Sequence, residues 1–131
     1  MYSTVSLVKA FKAALQGGLV SAVINLLWYS LLSITLSFGT LPKGFMVAIV
    51  ISSVLPLFLG AVVYVLLVKN FLKGQMLYFI LATAFAIFSI FPSFQPILPD
   101  GSTAPHNFAL LTVPMHFIVA VIGSYFLVKR T

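Results

Sequence analysis

Four long stretches of this chain, residues 13–42, 44–68, 74–99 and 101–128, contain no Asp, Glu, Lys or Arg. Crossing ~30 Å of hydrocarbon takes about 20 apolar residues in a helix. Each stretch is long enough for one crossing, and none comfortably holds two. The chain is 62% hydrophobic and 6% charged, whereas a soluble domain carries roughly a quarter charged residues. A soluble globular protein is therefore excluded. The pattern predicts an all-α fold, a four-helix transmembrane bundle with antiparallel neighbours. It forms a single domain over 1–131, with helices near 11–37, 44–68, 74–92 and 107–129. A membrane β-barrel needs segments of about ten alternating residues. Runs such as Val47-Ala-Ile-Val-Ile51 do not alternate. The apolar part of the first segment, from Ala13 past Leu36, exceeds the core of a cleavable signal peptide. It reads as a retained helix.

Basic residues near span ends set orientation. Lys9 and Lys12, Lys69 and Lys73, and Lys129 and Arg130 fall on one side of a four-span chain; Lys43 and Asp100 fall on the other. The positive-inside rule then predicts both termini in the cytoplasm of a bacterial inner membrane. Tyr64, Tyr78 and Tyr125 lie four or five residues inside a cytoplasmic-side Lys, a depth at which a phenol keeps its hydroxyl wet. The two short connections predict tight turns. The longer outer loop, 92–107, contains Pro92, Pro96, Pro99 and Pro105, and Pro99-Asp100-Gly101-Ser102 is a strong turn signal. Its apolar residues place it on the bundle or in the membrane interface.

Lipid tails are as apolar as Leu, so close packing and hydrogen bonds must join the helices. Small residues at four-residue spacing mark candidate contact faces: Gly17 with Ser21 and Gly18 with Ala22 in the first span, Ala82 with Ala86 in the third, and Ala120 with Ser124 in the fourth. In the second span Pro56 predicts a bend, and Gly60 with Ala61 permits close approach.

Polar groups in hydrocarbon are costly unless paired. Asn25 lies thirteen residues after Lys12 and His116 thirteen before Lys129, which puts both at ~20 Å above the cytoplasmic anchors. Ser52, Ser53 and Ser89 fall about a turn higher and Thr83 about a turn lower. These six residues are the candidate polar layer or ligand site. Its expected centre is an Asn25–His116 hydrogen bond between the first and fourth spans, with His116 neutral. Pro114 frees the carbonyl of Leu110, which then needs another donor.

Several chemistries are excluded by composition. One Asp, no Glu and no Cys rule out paired-aspartate proteolysis, a His-Glu-x-x-His metal centre and thiol redox chemistry. Asp100, Ser102 and His106 read as turn residues rather than a hydrolytic triad. A proton-coupled exporter would need a buried carboxylate within a span. No haem ligand pair is evident within one copy, because Met115 adjoins His116 and His106 is in the loop. No metal, no cofactor and no catalytic residue is expected. The scattered basic residues suit anionic lipid headgroups rather than nucleic acid.

Ser21-Ala-Val-Ile-Asn-Leu-Leu-Trp-Tyr29, Phe88-Ser-Ile-Phe-Pro92 and Met115-His-Phe-Ile-Val-Ala-Val-Ile122 together resemble a bacterial family of small four-helix membrane proteins, catalogued as a domain of unknown function. The similarity covers most of the chain. It implies the four-span architecture with polar Asn25 and His116 at matching positions, and it implies no reaction. This chain is richer in Phe, Ile and Lys than the Ala-, Leu- and Arg-rich members. The expected function is a non-catalytic structural or interaction role, with itself or with another membrane protein. The alternative is a binder or carrier of a small lipophilic ligand in a cavity near Asn25 and His116. A third reading is a haem or quinone subunit.

Overall fold

A computed structural model describes residues 5–38 and 41–131. The chain is 78% helical, with four long helices and no strands among the described residues. These are α1 (Leu7–Thr35), α2 (Phe45–Asn70), α3 (Gly74–Ser89) and α4 (Phe108–Arg130). A 3-10 turn over Phe91–Phe94 extends the apolar run of α3 to Phe94, and all four segments are then long and apolar enough to cross a membrane. The fold is an all-α four-helix bundle, and the chain is a multi-pass membrane protein.

The helix limits follow from caps more than from charges. The Ser6 hydroxyl accepts the Lys9 N–H at 3.2 Å, so α1 begins four residues before the expected start and carries Lys9 and Lys12 within it. At its other end Leu36 turns extended, and α1 stops two residues short of 37. Gly44, at φ 82°, opens α2 from the left-handed region that glycine occupies freely. Thr40, in the expected first turn, lies outside the described residues. The α2–α3 connection is tight. The Gly74 N–H donates to the Phe71 carbonyl, and a Cβ on Gly74 would run into the Leu67 carbonyl.

The third connection holds a small hairpin. Ile97 pairs with Thr103 in a β-bridge, and the Leu98 N–H donates to the Ser102 carbonyl at 2.8 Å. At its tip the Asp100 carboxylate accepts both the Ser102 N–H (3.0 Å) and the Ser102 hydroxyl (2.6 Å). These two bonds hold the carboxyl below the usual carboxylate range, the hydroxyl contributing most. Ser93 and Leu98 are buried, while Phe91, Phe94 and Ile97 remain exposed. The loop therefore anchors to the bundle at two points and presents its aromatics outward.

In the bundle α1 packs against α2 and α4, α3 also touches α2 and α4, and α1 and α3 occupy opposite corners without meeting. Phe11 meets Phe58 and Tyr29 meets Phe45, so α1 and α2 run in opposite directions. Two apolar clusters fill the ends. The one near the termini contains Ala10, Ala14, Leu57, Tyr64, Tyr78 and Leu127. The one near the long loop contains Leu32, Phe38, Ile49, Leu111 and Met115. Tyr64 and Tyr78 correct the aromatic-belt expectation. Both are buried, edge to face with centroids 5.1 Å apart, and only Tyr125 is exposed. The Tyr64 hydroxyl is served inside the protein, by the Gln75 amide at 3.3 Å.

Candidate functional site

A polar layer separates the two apolar clusters, and it is reached from α1. From Ala10 to Asn25 the buried residues of α1 are Ala10, Ala13, Ala14, Gly17, Gly18, Ser21, Ala22 and Asn25. No buried side chain before Asn25 is larger than serine. Helical spacing puts these residues on one stripe, and neighbouring backbones close onto it. A Cβ on Gly18 would lie 2.9 Å from the Cα of Val54 in α2. A Cβ on Gly17 would lie 3.2 Å from the Cβ of Phe126 and 3.4 Å from the Cα of Gly123 in α4. The adjacent glycines thus serve two different helices, as positions one residue apart on a helix must.

Asn25 closes the stripe. Its Nδ2 donates to the Ser53 hydroxyl at 3.0 Å and to the Met115 carbonyl at 3.5 Å. The Ser53 hydroxyl in turn donates to the Ile49 carbonyl at 2.7 Å. One amide therefore ties α1 to both α2 and α4. One turn on, the Trp28 indole N–H donates to the Leu111 carbonyl at 3.1 Å. Trp28 and Asn25 thus grip α4 on either side of Pro114. The carbonyl that Trp28 engages is one residue beyond Leu110, whose N–H partner the proline removes.

His116 does not pair with Asn25, which corrects the expected centre of the layer. Met115 turns toward α1, and His116, about 100° further round α4, turns toward α3. There its Nδ1 lies 3.0 Å from the Ser89 hydroxyl, which donates to the Ala86 carbonyl at 2.8 Å. The contact joins α4 to α3, and which partner donates follows the imidazole tautomer. The six expected polar residues thus divide. Asn25 and Ser53 form one joint and Ser89 and His116 another. Ser52 is exposed and bonded to its own helix at the Ile49 carbonyl, and Thr83 is exposed on α3. Exposed serines of α1 follow the same rule: Ser30 and Ser33 return their hydroxyls to the Leu26 and Tyr29 carbonyls, which satisfies them in lipid.

The small-residue faces divide likewise. Gly17, Ser21, Ala86 and Ser124 are buried, and Ala82 packs at the margin of the core. Gly60 admits the Tyr78 hydroxyl, to which a Cβ would come within 3.1 Å. Ala120 is only half-buried, and Gly123 takes the close approach in its place, against Leu57 of α2. Gly123 escapes the four-residue rule because Val119 and Leu127 flank it. Trp28 could have been found: a tryptophan within a span needs an acceptor, and it lies three residues from Asn25.

A cavity of about 880 Å³ opens between the long-loop ends of α1 and α2, lined by residues that include Tyr29, Ser33, Phe38, Pro42 and Phe45. It lies at the helix ends rather than beside Asn25 and His116. No group of His, Cys, Asp and Glu able to hold a metal ion occurs among the described residues. Comparison with family models, curated proteins and solved structures finds no match to this chain.

Proposed function

We propose that the chain is a non-catalytic protein of a bacterial cytoplasmic membrane, acting through association with itself or with another membrane protein, both termini in the cytoplasm. The observation that carries this reading is the division of labour within the bundle. The polar groups inside the spans are directed at neighbouring helices: Asn25 at Ser53 and Met115, Trp28 at Leu111, His116 at Ser89. Side chains spent on assembly leave the outer faces to do the work. The barest of these belongs to α3, which buries only Gly74, Tyr78 and Ala86 and directs Phe79, Ile80, Phe85 and Phe88 outward.

A photoreactive amino acid placed at Ile80 or Phe85 tests this in native membranes. The expected result is a protein adduct of discrete mass, either twice that of the chain or the chain plus one partner. Adducts with lipid alone at both positions would refute the association role. The 880 Å³ opening at Tyr29 and Phe45 favours the second reading, a lipophilic ligand, with the site at the helix ends instead of the polar layer. A co-purifying small molecule, released when Tyr29 is changed to Ala, would support it.

A further inference from the structure

We infer that one water molecule is bound deep within the bundle, bridging Ser21 and Asn25. This holds whatever the bundle associates with. Ser21 and Asn25 are 0% and 2% exposed, and the Ser21 Oγ and Asn25 Oδ1 are buried without a protein partner. The neighbours of the amide set which way round it sits. The Ser53 hydroxyl donates to the Ile49 carbonyl, and the Met115 carbonyl only accepts. Both neighbours therefore require the NH2 group, and Oδ1 must face away from them.

Ser21 stands one turn before Asn25 on the same stripe, where Cβ atoms are about 5–6 Å apart. That interval suits a water that donates to Oδ1 and accepts from, or donates to, the serine hydroxyl. The stripe around it is Gly17, Gly18 and Ala22, onto which Val54 and Gly123 close, so the pair is sealed from the lipid on both sides. A metal cation would meet the same oxygens, but they are all neutral. The chain's single acid, Asp100, lies in the long loop. A cation without a counter-charge at this depth is expensive, and water is not.

Water-edited solid-state NMR on the full chain in lipid bilayers reads this directly. Magnetisation from water should reach the Asn25 side-chain amide and the Ser21 backbone several-fold faster than Ala13 and Ala14 on the same stripe. In S21A the rate at the Asn25 amide should fall to that of Ala14, while the unaltered chain supplies the first comparison if that variant fails to fold. Equal rates at all four residues of the unaltered chain would overturn the proposal. So would a direct Ser21–Asn25 hydrogen bond, or Asn25 shifts that follow replacement of sodium by choline.

Discussion

Asn25 shows how little a single hydrogen bond needs to contribute to matter. Interhelical bonds in membranes average about 0.6 kcal/mol, because the separated helices also find partners. Asn25 makes one good bond and one long one. Asn25→Leu should therefore cost about 1 kcal/mol, and Trp28→Phe about half of that, both read by reversible unfolding in bicelles. A much larger loss for Asn25→Leu would mean that the layer is cooperative. Asp100 offers a second residue-scale check. Its pKa is held down by Ser102, so the hairpin's bonds are fully present above the ordinary carboxylate range and are lost as pH falls through the lowered value. An NMR titration should place the Asp100 midpoint below that of a free aspartate, and Ser102→Ala should move it up. A midpoint unaffected by Ser102→Ala would assign the shift elsewhere.

Among elements, α1 carries the organisation, and backbone proximity explains why. A methyl at Gly18 meets the Val54 Cα and the Ser53 carbonyl, neither of which can rotate away. A methyl at Gly60 meets the end of one side chain, the Tyr78 hydroxyl. Gly18→Ala should therefore destabilise by about 1–3 kcal/mol and Gly60→Ala by clearly less, measured by the same unfolding assay. Equal losses would show that the α1–α2 gap relaxes freely. The number and class of the elements were legible in the spacing of charges, because lipid tolerates so few of them. Their ends were less so, since Ser6 and Gly44 set them through local geometry that charge spacing does not register. The stripe of Gly17, Gly18, Ser21 and Ala22 was legible too, but not which helix each residue would face. Likewise the depths of Asn25 and His116 could be counted along the chain. Their failure to meet depends on the rotation of α4, which the apolar pattern leaves open because lipid and core attract the same side chains. Tyr64 and Tyr78 illustrate the same ambiguity, being placed at the right level and turned inward.

For the molecule as a whole, four crossings return the chain to the side where it began, and the positive-inside rule is the ground on which we propose that this side is the cytoplasm. With cysteines introduced singly at Thr131 and at Ser102, an impermeant maleimide should label Ser102→Cys in intact cells and Thr131→Cys only after lysis. The reverse pattern would invert the proposed orientation. The arrangement of α1 also bears on how such a chain is made. Its partners are made at different times: Ser53 is synthesised soon after Asn25, but the carbonyls of Leu111 and Met115 follow only after α3 and the long loop. Until α4 leaves the translocon, the Trp28 N–H and half of the Asn25 amide must wait in lipid without these acceptors. A ribosome that stops short of α4 would thus release a nascent product with its polar seam uncovered, a mark by which quality-control proteases could tell the fragment from the finished protein.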